Sequence, residues 1–177
     1  MKKSLLCLLL IAVLLLSACG KTDGNNEERP PAIPQSFQTS AEVNTPLQTF
    51  KAEVEYKSIN NCTIRFTAPA TINGVEMVWD GTVCRLQYKE VGFDVDLSKF
   101  PQSAAGSQII NSVTAALKAE NIKIEKSGDN WSYSGITQSG EFKIIQDGKT
   151  GYLTSISLPE QKVTVTFTNF QPLSVEN

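Results

Sequence analysis

Two periodicities divide this chain. From residue 50 onward apolar and polar residues alternate. Phe50, Ala52, Val54 and Tyr56 stand against Lys51, Glu53, Glu55 and Lys57, and Cys62, Ile64 and Phe66 stand against Thr63, Arg65 and Thr67. A period of two marks a strand with one buried and one wet face. Similar runs follow at 75–79, 83–88 and 91–96, with Asp80-Gly81 as a tight-turn signal between the first two. The period then changes. Ser103 can cap a helix, and Ile109, Val113, Ala116 and Leu117, joined by Ile110, share one helical face within 103–120. Alternation resumes at 122–126, 131–135, 141–146, 152–158 and 163–169, and the breaks carry Gly128-Asp129-Asn130, Ser139-Gly140, Asp147-Gly148 and Pro159-Glu160. The order is five strands, one helix, five strands. Short turns between consecutive strands make an antiparallel meander, and twist curls a long sheet. The helix has only the sheet's apolar face to pack on. The expected fold is mainly β (α+β): a curved antiparallel meander sheet, an unclosed β-barrel of about ten strands, with one amphipathic helix on its concave face.

The N-terminus has a different pattern. Met1-Lys2-Lys3 is positive, Ser4 to Leu16 is almost wholly apolar, and Leu16-Ser17-Ala18-Cys19 closes the segment. The apolar run is shorter than the roughly 20 residues a membrane-spanning helix needs. A charged start, a short apolar core and small residues at the end mark a cleaved signal, and the cysteine stands where a lipobox places it. Residues 1–18 are therefore expected to be a lipoprotein signal peptide, with diacylglycerol on the Cys19 thiol. Two acyl chains meet the two-signal requirement for stable anchoring. The expected location is extracytoplasmic, lipid-anchored to a bacterial cell membrane, or to the outer membrane of a diderm host, since Gly20 replaces the aspartate of an inner-membrane retention signal. Residues 19–46 are polar and then proline-rich, through Arg29-Pro30-Pro31-Ala32-Ile33-Pro34, and read as the lipidated cysteine and a disordered tether. Phe37 and Val43 offer its last part contacts to the body. Residues 47–170 form one domain and 171–177 a tail.

Charge and residue types exclude several functions. Without Lys2 and Lys3 the mature chain has 14 basic and 18 acidic residues, a net charge of −4, and no basic cluster. Nucleic acid is not an expected partner. The chain contains no histidine, which removes histidine triads, histidine metal sites and the commonest general base. No catalytic residue, metal site or cofactor is expected. Cys7 lies in the signal and Cys19 is the anchor, leaving Cys62 and Cys84. Both fall on the apolar phase of strands separated by another strand. Second neighbours in a sheet stand about 9.6 Å apart, against the 7 Å or so a disulfide spans; buried free thiols are favoured over a disulfide. Asp94 and Asp96 lie on the wet phase opposite Val91, Phe93 and Val95. As a pair they could hold calcium or serve acid–base chemistry, but a solvated strand face accounts for them.

The lipobox, polar tether, extended antiparallel sheet and mid-chain helix together resemble the LolA/LolB/LppX-like lipoprotein carrier superfamily. The run from Phe50 to Tyr56 resembles the first strand of those proteins. Ile64-Arg65-Phe66-Thr67-Ala68-Pro69 followed by Ile72-Asn73-Gly74-Val75 resembles their strand–proline–glycine stretch, and Val78-Trp79-Asp80-Gly81 and Val91 to Val95 continue it. The chain departs in having no amphipathic helix before that strand. Its overall likeness is to small lipoproteins of Firmicutes-type bacteria. The resemblance implies a non-enzymatic carrier that binds a lipid or other apolar ligand between sheet and helix. Its candidate lining is Tyr56, Phe66, Tyr88, Phe93, Tyr133, Phe142 and Phe167 from the strands and Ile109, Ile110, Val113 and Leu117 from the helix, which would act as a movable cover. Trp79 and Trp131 alternate ambiguously with their neighbours and receive no face. The same residues would equally fill a solid core. The alternative function is then a tethered module that contacts another envelope protein.

Overall fold

The computed structural model describes residues 28–58, 60–95, 110, 113–118, 122–137 and 140–174. Cys19, Asp96 and Ile109 lie outside these residues, as do the expected signal peptide, residues 1–18, and most of the segment 103–120. Eleven strands form one antiparallel sheet: β1 (Phe37–Asn44), β2 (Thr49–Ser58), β3 (Asn61–Ala68), β4 (Val75–Trp79), β5 (Cys84–Tyr88), β6 (Val91–Val95), β7 (Ile122–Ser127), β8 (Asn130–Thr137), β9 (Gly140–Asp147), β10 (Leu153–Leu158) and β11 (Val163–Pro172). Their spatial order is β6-β5-β4-β3-β2-β1-β11-β10-β9-β8-β7. The sheet is unclosed, with β6 and β7 at its two edges. Residues 113–118 are helical, so the mainly β architecture of a curved sheet with one helix is as expected.

Two features depart from the simple meander. The segment Phe37–Asn44, expected in the tether, is a strand at the centre of the sheet. It pairs with β2 through Phe37↔Tyr56 to Asn44↔Thr49, and with β11 through Ala41↔Phe167 and Val43↔Val165. The two meanders β2–β6 and β7–β11 are thus joined at their first and last strands by β1, and not by β6 and β7. The helical segment lies in sequence between β6 and β7, the strands at opposite edges, and its Ile110, Val113 and Ala116 are buried in the core. The physical reason for the misplacement is composition. Phe37, Thr39, Ala41 and Val43 alternate correctly, but Thr39 and Ala41 weaken the apolar phase, and the flanking prolines suggested a linker.

Residues opposite one another in paired antiparallel strands share a face. Followed across the sheet, the register brings the alternating apolar positions of every strand to one side. Val95, Cys84, Trp79, Cys62, Tyr56 and Phe37 form one row, and Phe93, Leu86, Met77, Ile64 and Val54 form the next. On the other half Ile124, Tyr133, Ile144, Ile156 and Val165 form a comparable row. Ile110, Val113 and Ala116 of the helical segment are buried in the same core. The opposite face carries Lys51, Glu53, Glu55, Arg65 and the threonines of β11, and is wet.

Candidate functional site

The inner face is the candidate site, and its closure differs at its two ends. At the end where β1 begins, four aromatic rings stack in series. Tyr56 and Phe37 have ring centroids 5.3 Å apart, Phe37 and Phe170 4.5 Å, and Phe170 and Tyr152 4.8 Å. Beside them the segment before β1 is strapped to the sheet. Ile33 is buried in the core. Gln146 is 0% exposed; its Nε2 donates to the Pro31 carbonyl at 2.8 Å and to the Gly151 carbonyl at 2.9 Å. Its Oε1 accepts from the Tyr133 hydroxyl at 2.6 Å. Gly151 has φ +78, and a Cβ there would stand 2.7 Å from the Ala32 carbonyl oxygen, so only glycine lets the strap lie this close. Glu28 and Lys126 form an ion pair. The last part of the expected tether, from Pro31, is therefore part of the body.

The helix covers the β2 side of this end. Ile110 and Val113 are buried, and the Thr114 and Tyr56 hydroxyls lie 3.3 Å apart. Burial raises the Tyr56 phenol above its ordinary pKa, opposed by the contact with Thr114. Burial likewise pushes the Tyr133 phenol up to about 12. It pushes the Cys62 thiol up to about 12, with smaller contributions from Cys84 and Glu55. Cys62 and Cys84 are free thiols, separated by Trp79 of β4 in one row.

At the opposite end, where β5 turns into β6, the inner face is not covered by described residues. Tyr88 is 48% exposed, Val91 70% and Phe93 55%. Their register with Leu86 and with one another places all three on the face that is buried elsewhere.

The sequence-derived lining residues fall into two groups. Tyr56, Ile110, Val113, Tyr133, Phe142 and Phe167 are in the buried core, and Phe66 and Leu117 pack partly buried against it. Tyr88 and Phe93 form the uncovered stretch, and Ile109 lies outside the described residues. Sequence reasoning left Val91 and Gln146 out of the lining, and gave Phe37 only as a contact of the tether's last part and not as a residue of a central strand. It gave Trp79 and Trp131 no face; the register places both inward, Trp79 opposite Cys62 and Cys84, and Trp131 opposite Gln146. Gln146 had a visible signal: it continues the inward phase of Phe142 and Ile144 with a polar side chain.

Acid groups elsewhere are explained by turns and pairs. Asp80 accepts from the Thr82 and Val83 N–H groups, and Asp147 from those of Lys149 and Thr150; these bonds hold both carboxyls below the usual aspartate range. Asp94 is exposed on the outer face, 3.9 Å from Arg85. Among the described residues no group of three or more histidine, cysteine, aspartate or glutamate side chains is placed to hold a metal ion. No described helix is long and apolar enough to cross a membrane.

No protein-family model and no curated protein matches the chain. Solved structures do. A conserved protein of Thermus thermophilus aligns over 81% of this chain and 82% of its own, with 9% identity and a TM-score of 0.50. A LolA superfamily protein of Nitrosomonas europaea aligns over 82% and 90%, with 11% identity and a TM-score of 0.42. The Mycobacterium tuberculosis lipoprotein LppX aligns over 81% and 90%, with 12% identity and a TM-score of 0.39. At 9% identity the likeness to the Thermus thermophilus protein is one of fold alone; the architecture itself, an unclosed antiparallel sheet with a helical segment against its apolar face, is the one expected from the sequence.

Proposed function

We propose that this chain is a membrane-anchored, non-enzymatic lipoprotein that binds a lipid or another apolar ligand against the inner face of its sheet, beside the helix. The observation that carries the reading is the uncovered end of that face. Tyr88, Val91 and Phe93 continue the core without a change of phase, yet they stand open to water. An exposed run of large apolar side chains joined to a core is a binding surface in waiting. An acyl chain laid on it gains about 0.8 kcal/mol for each buried CH₂, without specific polar chemistry. The stacked rings and the strap close the other end of the face, so a ligand enters where β5 meets β6. The absence of histidine from the whole sequence favours binding over catalysis. Cys19, the proposed lipid attachment site, lies 12 residues before Pro31.

The test is native mass spectrometry of the mature chain carrying Cys19→Ser, purified without detergent. A bound mass that extracts into organic solvent, or saturable uptake of added fatty acid or monoacyl lipid, supports the reading. A clean apo mass with no uptake overturns it in favour of an envelope-protein contact at the same surface, where β6 is an edge strand able to accept a partner's strand.

A further inference from the structure

The two edges of the sheet are not alike. β7 carries Lys123, Glu125 and Lys126 within six residues, the kind of charged edge that keeps other strands away. β6 reads Val-Gly-Phe-Asp-Val, with no lysine and no proline, and its Val91 and Phe93 are exposed. Among the described residues its only strand neighbour is β5. Lys89 and Glu90 form a two-residue turn, so Tyr88 and Val91 are the closing, hydrogen-bonded pair of the hairpin. Alternation then turns the N–H and C=O groups of Gly92 and Asp94 away from β5, toward the free edge.

That edge is self-complementary. Phe93 is the midpoint of β6. A second copy laid antiparallel about a two-fold axis at Phe93 sets Phe93 against Phe93, Val91 against Val95 and Gly92 against Asp94. All five residues of the strand then pair, apolar with apolar, and each pairing of Gly92 with Asp94 exchanges backbone hydrogen bonds. A shift of one residue sets apolar against polar positions. A shift of two pairs only part of the strand, and the one centred on Asp94 places two carboxylates opposite each other, which destabilises. The rows across the sheet also continue in the central register. Tyr88 and Val91, uncovered in one copy, run on into Val95 and Cys84 of the second copy, positions that are buried.

Charge supplies a separate observation. On the outer face the Arg85 side chain reaches to the edge: a Cβ on Gly92 would stand 3.0 Å from its Nε, and its own Asp94 is 3.9 Å away. Glycine at position 92 leaves the guanidinium this path. Asp94 of a second copy, directly opposite Gly92, meets that guanidinium, and the two-fold axis makes the contact twice.

We infer that β6 pairs with β6 of a second copy, giving a two-fold dimer in which the two sheets run on as one. The pairing lies in the plane of the sheet, so both inner faces look to the same side and stay open. The dimer needs no bound lipid and stands apart from the ligand reading. An edge this short makes an interface below the roughly 1,200 Å² of a stable complex, so association in solution is weak, with a Kd of about 100 µM. A two-fold axis holds both N-termini at one height along it, so anchoring both copies in one membrane raises their effective concentration.

Sedimentation equilibrium of the mature chain carrying Cys19→Ser should show monomer and dimer together near that concentration. Two variants read the register under mild oxidation by oxidised glutathione; Cys62 and Cys84 are buried and do not compete. Phe93→Cys sets the new thiol opposite its own copy, with Cα atoms about 4.5 Å apart, and should give a covalent dimer. Val91→Cys is at a more exposed position, yet its copies stand about 14 Å apart along the paired strands, and it should stay monomeric. Two further variants read the charges. Asp94→Lys and Arg85→Glu should each lose association, because each sets like charges across the axis. Mixing the two proteins restores opposite charges across the axis while the contact within each chain stays repulsive, so the mixture should associate about tenfold tighter than either protein alone. A chain that stays monomeric, equal cross-linking of the two cysteine variants, or a mixture no tighter than its components overturns the pairing.

Discussion

Gln146→Leu is the sharpest test of how the body is held together. The substitution keeps the approximate volume and removes three hydrogen bonds at once, to Tyr133, Pro31 and Gly151. A buried polar group left without a partner costs about 1–3 kcal/mol. The Pro31 carbonyl is on the more open side and can take a water, so two groups carry most of the penalty. Partly offset by the apolar side chain, the expected loss is about 3–4 kcal/mol, much of the 5–15 kcal/mol that holds a typical domain folded. With a urea m-value of about 1.5 kcal/mol per M, the midpoint falls by about 2 M. Amide exchange at Ala32 and Ile33 should rise as the strap comes free. The decisive arm is Tyr133→Phe. Alone it strands the Gln146 carbonyl oxygen and should destabilise by about 1 kcal/mol; in the Gln146→Leu background it removes an orphaned hydroxyl and should stabilise by a similar amount. A loss below about 1 kcal/mol for Gln146→Leu, or the same sign for Tyr133→Phe in both backgrounds, would refute the reasoning.

Three further outcomes follow. Phe37→Ala removes a ring that is 1% exposed and stacked between Tyr56 and Phe170; it should cost about 3–5 kcal/mol by chemical denaturation, whereas a residue in a loose tether would cost nothing measurable. Stability should hold up to about pH 9 and then fall as pH rises toward 12. Cys62 and Tyr133 keep their protons in the folded state up to about 12, while the unfolded chain releases the thiol proton near 9, so the unfolded state binds fewer protons in that window. The slope is at most about 1.4 kcal/mol per pH unit for each group, and Cys62→Ala should flatten the early part of a pH series of urea midpoints. The mass of the protein should be unchanged by reductant, and Cys62 and Cys84 should react with a thiol reagent in urea but not in the native state; a gain of two hydrogens on reduction would show a disulfide instead.

Much of the fold was legible because strand structure is written locally. Which side chains of each strand turn inward follows from a period of two, and Asp80-Gly81, Gly128-Asp129 and Asp147-Gly148 carry the turn chemistry that separates the strands. Ten of the eleven described strands, a helical segment between the two runs, and the shared phase of Cys62 and Cys84 could be read from the sequence alone. The proposed signal, the proposed lipid on Cys19 and the lack of histidine belong to the same local reading, because they depend on residue types in order and not on contacts.

Contacts between distant residues decided the rest. β1 is a central strand because Ala41 meets Phe167 and Val43 meets Val165, a pairing that joins the two ends of the chain and leaves no trace in a short window. The inward faces of Trp79 and Trp131 came from register, since their own neighbours alternate ambiguously. A buried glutamine is legible as a polar residue on an apolar phase, but its partners at Pro31 and Gly151 are not. Most of all, one phase of alternation contains both Cys84, which is buried, and Tyr88 and Phe93, which are not. Periodicity tells a side chain which way to face; only the elements folded over it determine whether water can still reach it.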